Sequence, residues 1–120
     1  MKIFVQGLWH CGCVVSACLA SLKHEVIAYD DNKKIINKLK KNITPIYEPK
    51  LKDLIETSTK DGKLSFVNNL KNINTANIIW FTYDTPINEN DQADTKYVLD
   101  RIKNTLNQLR SNKCVFKKRK

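Results

Sequence analysis

The chain lacks several features that would assign it quickly. No apolar run approaches the length of a membrane span. The N-terminus passes directly into Ile3, Phe4 and Val5, with no charged leader, apolar stretch and cleavage site, so export is not expected and the expected compartment is the cytoplasm. No internal repeat and no low-complexity linker interrupts the sequence, which predicts one domain that is short for a complete two-substrate enzyme. Glycine is scarce, three in 120 residues, and two of the three, Gly7 and Gly12, stand five apart.

Acidic residues are also in deficit. The net charge of +9 suggests a polyanion partner, but four of those charges are Lys117–Lys120, and Lys33, Lys34, Lys38, Lys40 and Lys41 cluster on one predicted helix. A lysine run on a helix reads first as its solvated face. No aromatic residue interleaves these lysines to stack bases, so dedicated nucleic-acid binding is not expected. A basic polyanion binder would instead show steep salt dependence and lose binding without Lys117–Lys120.

The four cysteines, Cys11, Cys13, Cys18 and Cys114, have no export context for a disulfide framework. With His10, the first three match neither the C-x-x-C nor the His-x3–5-His spacing of a metal site; they read as small buried residues packing a helix on a sheet. No nucleophile and base fall together. His10 follows a turn and His24 precedes a strand, with nothing local to orient either, and no catalytic residue is assigned.

What is present is an alternation of short apolar strands and amphipathic helices. Strands are predicted at Lys2–Gln6, Glu25–Tyr29, Leu64–Val67 and Asn77–Tyr83. The first helix opens at Gly12 and carries Val14, Val15, Cys18, Leu19 and Leu22 at helical spacing. Asp31 or Asn32 caps a second that turns Ile35, Ile36 and Leu39 inward. After the rigid connector Pro45–Pro49, Pro49 suits the first turn of a third helix, with Leu51, Leu54 and Ile55 as its buried stripe. A polar loop, Asp84–Asp94, leads to a last helix capped by Asp94, with Val98, Ile102, Leu106 and Leu109 on one face. The alternation predicts an α/β fold: a Rossmann-type open parallel sheet with helices on both faces, incomplete at the C-terminal end. Residues 1–112 form the domain, and residues 113–120 are a divergent basic tail where a strand would otherwise continue.

Gly7 and Gly12 are spaced as the first and third glycines of a dinucleotide fingerprint, and Asp30 follows about 20 residues on, at the end of the second strand. Trp9 replaces the middle glycine, so a pyrophosphate must sit further out or the indole must swing away. Asp30 is placed either to accept from ribose hydroxyls, which favours NAD over NADP, or merely to begin the capping run of the next helix. Lys33 and Lys34 leave some tolerance for NADP.

These residues carry a resemblance to the UDP-glucose/GDP-mannose dehydrogenase family at its NAD-binding domain. The matching stretches are M-K-I-x-V-x-G-L at 1–8, A-C-L-A at 17–20, H-E-V-I at 24–27, P-I-Y-E-P at 45–49, D-T-P at 84–86, A-D at 93–94 and Y-V at 97–98, all collinear. Most of the family reads G-L-G-Y-V-G at the turn; a branch with G-L-W-H-L-G and a Y-D-T-P loop resembles Gly7–Gly12 and Tyr83–Pro86, which makes Trp9 a branch trait. The resemblance implies that Gly7, the backbone of Leu8, Trp9, His10 and Cys11, Gly12, Asp30 and Thr85 contact NAD. A lysine common five positions after the ribose acid aligns with Ile35, so that contact is missing. The resemblance further implies oxidation of a nucleotide sugar at C6 to a carboxylate, on a catalytic cysteine that none of the four here matches. The expectation is a truncated product, with weak or absent NAD binding and no turnover of UDP-glucose. A nucleotide sugar is a partner only if the missing domain is supplied. The alternative is a small nucleotide-binding or regulatory module acting with a separate chain.

Overall fold

A computed structural model describes residues 1–84, 90 and 95–111. Its elements in chain order are β1 (Lys2–Gln6), α1 (His10–Ser21), β2 (Glu25–Tyr29), α2 (Lys33–Lys40), α3 (Pro49–Lys60), β3 (Leu64–Val67), a single 3₁₀ turn (Ile73–Thr75), β4 (Ile78–Phe81) and α4 (Thr95–Ser111). All strand pairs are parallel and the spatial order is β3-β2-β1-β4. The chain steps outward from β1 through β2 to β3, then returns to the far side of β1. The order therefore reverses at β1, and ligands of open α/β sheets bind in the crevice outside the strand ends at such a point.

Alternation along the strands sorts the core into two. Ile3, Val5, Val26, Ala28, Leu64 and Phe66 face one layer, where they pack with Cys13 and Ala17 of α1, Ile36 and Leu39 of α2, and Leu51 and Ile55 of α3. Phe4, Ile27 and Tyr29 face the other, packed with Ile73 of the 3₁₀ turn and Leu106 and Leu109 of α4. Helices thus cover both faces, as the alternation of elements implied. Among the described residues no helix is long and apolar enough to cross a membrane.

The predicted strand at Asn77–Tyr83 pairs as a ladder over Ile78–Phe81, with the N–H groups of Asn77 and Thr82 still donating to the carbonyls of Lys2 and Gln6. Of the two candidate caps for α2, Asn32 serves: its Oδ1 accepts from the N–H groups of Lys34 (2.9 Å) and Ile35 (3.4 Å). Ile36 and Leu39 are buried and Ile35 half-buried, while the lysines face out. Pro49 stands in the first turn of α3 as predicted. Asp94, Pro86 and the tail from residue 112 lie outside the described residues.

One expectation is corrected. The apolar stripe assigned to α1 is not its buried face. Cys18 and Leu22 are exposed and Val14, Val15 and Leu19 half-buried, whereas Gly12, Cys13, Ser16, Ala17 and Ala20 are buried. The helix approaches the sheet so closely that only small side chains fit beneath it, and the larger ones pack along its flanks. The reading of the cysteines as buried packing residues is corrected with it: it holds for Cys13, whereas Cys11 and Cys18 are exposed. Burial, reinforced by the nearby Asp30 carboxylate, pushes the Cys13 thiol up to about 12.

Candidate functional site

The site grows from the turn between β1 and α1. Gly7 has φ +104°, and a Cβ there would meet the Tyr83 ring and backbone at 2.8–3.0 Å. Its N–H donates to the Tyr29 carbonyl (3.0 Å), which ties the turn to the end of β2. At Gly12 the constraint is steric: a Cβ would stand 1.9 Å from the Gly7 carbonyl oxygen. The two glycines let strand end, turn and helix start overlap in a volume that no side chain could share.

Leu8 is fully buried, and its N–H donates to Oδ2 of Asp30 at 2.9 Å. Oδ1 of the same carboxylate accepts from the N–H of Asn32, also at 2.9 Å. Asp30 therefore clamps the glycine turn to the β2–α2 turn, while the cap of α2 itself falls to Asn32. Burial raises its pKa, and the two backbone hydrogen bonds oppose that rise. Trp9 stands at the N-cap of α1 in extended conformation, makes no side-chain cap, and is half-exposed with its residue lining the cleft. The first turn of α1 contains no acidic residue, so the positive end of the helix is left for an anion.

The cleft has a volume of about 540 Å³ and brings together Gly7, Leu8, Trp9 and Asp30 from the predicted set. Gly12 lies behind it, packed on Gly7. His10 and Cys11 are in the first turn of α1 but do not line the cleft. His10 Nε2 is instead 3.4 Å from Oε1 of Glu48, which links the helix start to the Pro45–Pro49 segment. Thr85 lies outside the described residues. Among the described residues no group of three His, Cys, Asp or Glu is placed to hold a metal ion.

The remaining walls escaped the sequence reading. Tyr83 borders the cleft with its hydroxyl accepting from Nε2 of Gln6 (2.9 Å), and Oε1 of Gln6 accepts from the hydroxyl of Thr105 on α4 (2.8 Å). Burial pushes the Tyr83 hydroxyl well above the usual phenol range. Tyr97 meets Tyr83 edge to face at 6.2 Å, and the Arg101 guanidinium lies 3.7 Å above the Tyr97 ring. Arg101 Nε in turn stands 3.4 Å from Oδ2 of Asp31. A buried glutamine in an otherwise apolar strand was the one available signal of this network.

The comparisons with known proteins agree with this geometry. The family model described as "UDP-glucose/GDP-mannose dehydrogenase family, NAD binding domain" matches residues 1–119. The chain is 33% identical over 118 residues to the UDP-glucose 6-dehydrogenase TuaD of Bacillus subtilis, covering 98% of this chain and 26% of that protein. It is 36% identical over 103 residues to the UDP-glucose 6-dehydrogenase of Rickettsia felis, covering 85% and 23%. The fold superposes on a GDP-mannose dehydrogenase from Pseudomonas aeruginosa with a TM-score of 0.80 at 27% identity, covering 88% of this chain and 24% of that one. A UDP-glucose dehydrogenase from Pyrobaculum islandicum gives 0.77 at 28%, covering 87% and 24%. The chain spans about a quarter of the length of these relatives. The glycine turn, the clamping acid and the strand order of a nucleotide crevice thus coincide with the family match, and the chain belongs to the UDP-glucose/GDP-mannose dehydrogenase family as its NAD-binding domain.

Proposed function

We propose that this chain is the cofactor-binding part of an enzyme that oxidises the C6 alcohol of a nucleotide sugar to a carboxylate, and that by itself it binds NAD weakly and turns over no sugar. The observation that carries the reading is that Gly7, Leu8 and Trp9, the residues leading into the acid-free first turn of α1, line one cleft with Asp30. Bound NAD supplies the hydride acceptor. The first turn of α1 holds its pyrophosphate by backbone N–H groups, and Asp30 accepts from the ribose hydroxyls with the lone pairs that Leu8 and Asn32 leave unused. The Asp30 charge disfavours a 2′-phosphate. The exposed free thiols of Cys11 and Cys18 fit a reducing, cytoplasmic setting.

The test is a titration of the 120-residue chain with NAD by saturation-transfer NMR, alongside an absorbance assay for NADH with UDP-glucose. Saturable NAD binding without NADH formation is expected. NADH formation from UDP-glucose by this chain overturns the assignment of catalysis to another part of the enzyme, and absence of binding overturns the cofactor role.

A second reading is a module that works with a separately made substrate domain. It is favoured by the position of β4, an edge strand among the described residues, where Ile78 and Trp80 are about two-fifths exposed. A complex with the substrate domain of a relative that is lost in Trp80→Lys supports it; no complex at micromolar concentrations overturns it.

A further inference from the structure

The order of groups in a dinucleotide, pyrophosphate then ribose then base, places the third once the first two are placed. With the pyrophosphate at the first turn of α1 and the ribose at Asp30, the adenine lies beyond the end of β2. The cleft wall there includes Asp31, Ile35 and Arg101.

Resting on the NAD reading above, we propose that Arg101 is the adenine-binding residue of this domain, its guanidinium offering a stacking face to the base. One face of the group is already occupied, since Cζ lies 3.7 Å above the centroid of the Tyr97 ring. Asp31 anchors it from the β2–α2 turn at 3.4 Å, and Nη1 donates to the Tyr97 carbonyl at 3.3 Å. Tyr97 is itself braced edge to face by Tyr83, which Gln6 holds. A side chain with this many torsions is thereby fixed before any ligand arrives, and a guanidinium plane stacks on nucleobases as aromatic rings do. Arg101 is also the sole cation among the described residues that line the cleft, where Asp30, Asp31 and Asp84 stand. Ile35, half-buried on α2, completes the apolar part of the same wall.

The experiment compares the full chain with Arg101→Ala and Arg101→Lys, each checked for folding by circular dichroism, using NAD and NADP as the probes. Arg101→Ala is expected to weaken NAD binding about tenfold, in line with the loss of one base-stacking partner. Saturation transfer to the adenine H2 and H8 protons should fall while that to the nicotinamide protons persists. Arg101→Lys keeps the charge without the plane and is expected to recover less than half of the loss. In the unmodified chain the Arg101 Nε–H resonance should move upfield on NAD addition, a ring-current effect that needs no variant. Affinity of Arg101→Ala within twofold of the parent, full rescue by lysine, or no upfield shift overturns the proposal. Tighter binding of NADP than NAD does so too, because Arg101 would then be a phosphate receptor. A parent chain that binds neither nucleotide fails the NAD reading itself, and this proposal with it.

Discussion

Each residue at the turn between β1 and α1 is held by a constraint that substitution would expose. The sharpest is at Gly12, where a Cβ would fall 1.9 Å from the Gly7 carbonyl oxygen, and that carbonyl is fixed by the Thr82 hydroxyl, which donates to it at 2.7 Å. Backbone cannot yield there as a flexible side chain would. Gly12→Ala is expected to cost at least ~3 kcal/mol, the upper end of ordinary overpacking, and to abolish NAD binding; urea denaturation followed by Trp fluorescence measures the first. Trp9 is the contrasting case. Its position tolerates a Cβ because the residue is extended, with φ −94° and ψ −154°, and its side chain meets solvent and cleft rather than core.

At the level of elements, the scarcity of glycine has a visible cost. Helices α1 and α2 both end on non-glycine residues in the left-handed region, Lys23 at φ 75° and Asn42 at φ 60°. Asparagine tolerates that conformation, whereas lysine carries a steric penalty of roughly 1–2 kcal/mol. The Lys23 ammonium is exposed and 3.8 Å from Asp61, a pair that adds little. Lys23→Gly is therefore expected to stabilise the chain by about 0.5–1 kcal/mol, the net of relieved strain and added unfolded-state freedom, read as a rise in the denaturation midpoint at unchanged slope. The helix faces show how far periodicity reaches. In α2 and α3 the large apolar residues Ile36, Leu39, Leu51 and Ile55 are buried as their spacing implied. In α1 the same rule selects the wrong face, because closeness to the sheet, set by Gly12, reverses the usual preference for large buried side chains.

For the molecule as a whole, two features bear on assembly. Among the described residues β4 is an edge strand, and the residues at Ile78 and Trp80 face the same side as Ile3 and Val5 yet remain exposed, because α1 to α3 cover the sheet only from β1 to β3. Unpaired backbone beside exposed apolar groups favours association. Trp80→Lys should remove concentration-dependent self-association in analytical ultracentrifugation and leave stability within about 0.5 kcal/mol, as for other surface substitutions. The second feature is the polar network from Gln6 through Thr105 and Tyr83, which fastens α4 to β1 and holds the cleft wall in place.

Strand positions, helix count and the glycine turn were legible in the sequence, and the α2 cap was narrowed to Asp31 or Asn32, because each depends on residues within one or two turns of one another. The family was legible for a related reason: collinear motifs such as Pro45–Pro49 survive as local signatures. The tertiary structure alone decided which face of α1 is buried, that Asp30 clamps two turns at once, that Glu48 reaches His10, and that Tyr83, Tyr97 and Arg101 converge with Asp31 on one wall. The decisive contacts among these join residues distant in the chain, as Leu8 with Asp30, His10 with Glu48 and Asp31 with Arg101. Hydrophobic periodicity carries no information about polar partners at such separations; packing of the elements against the sheet brings them within reach.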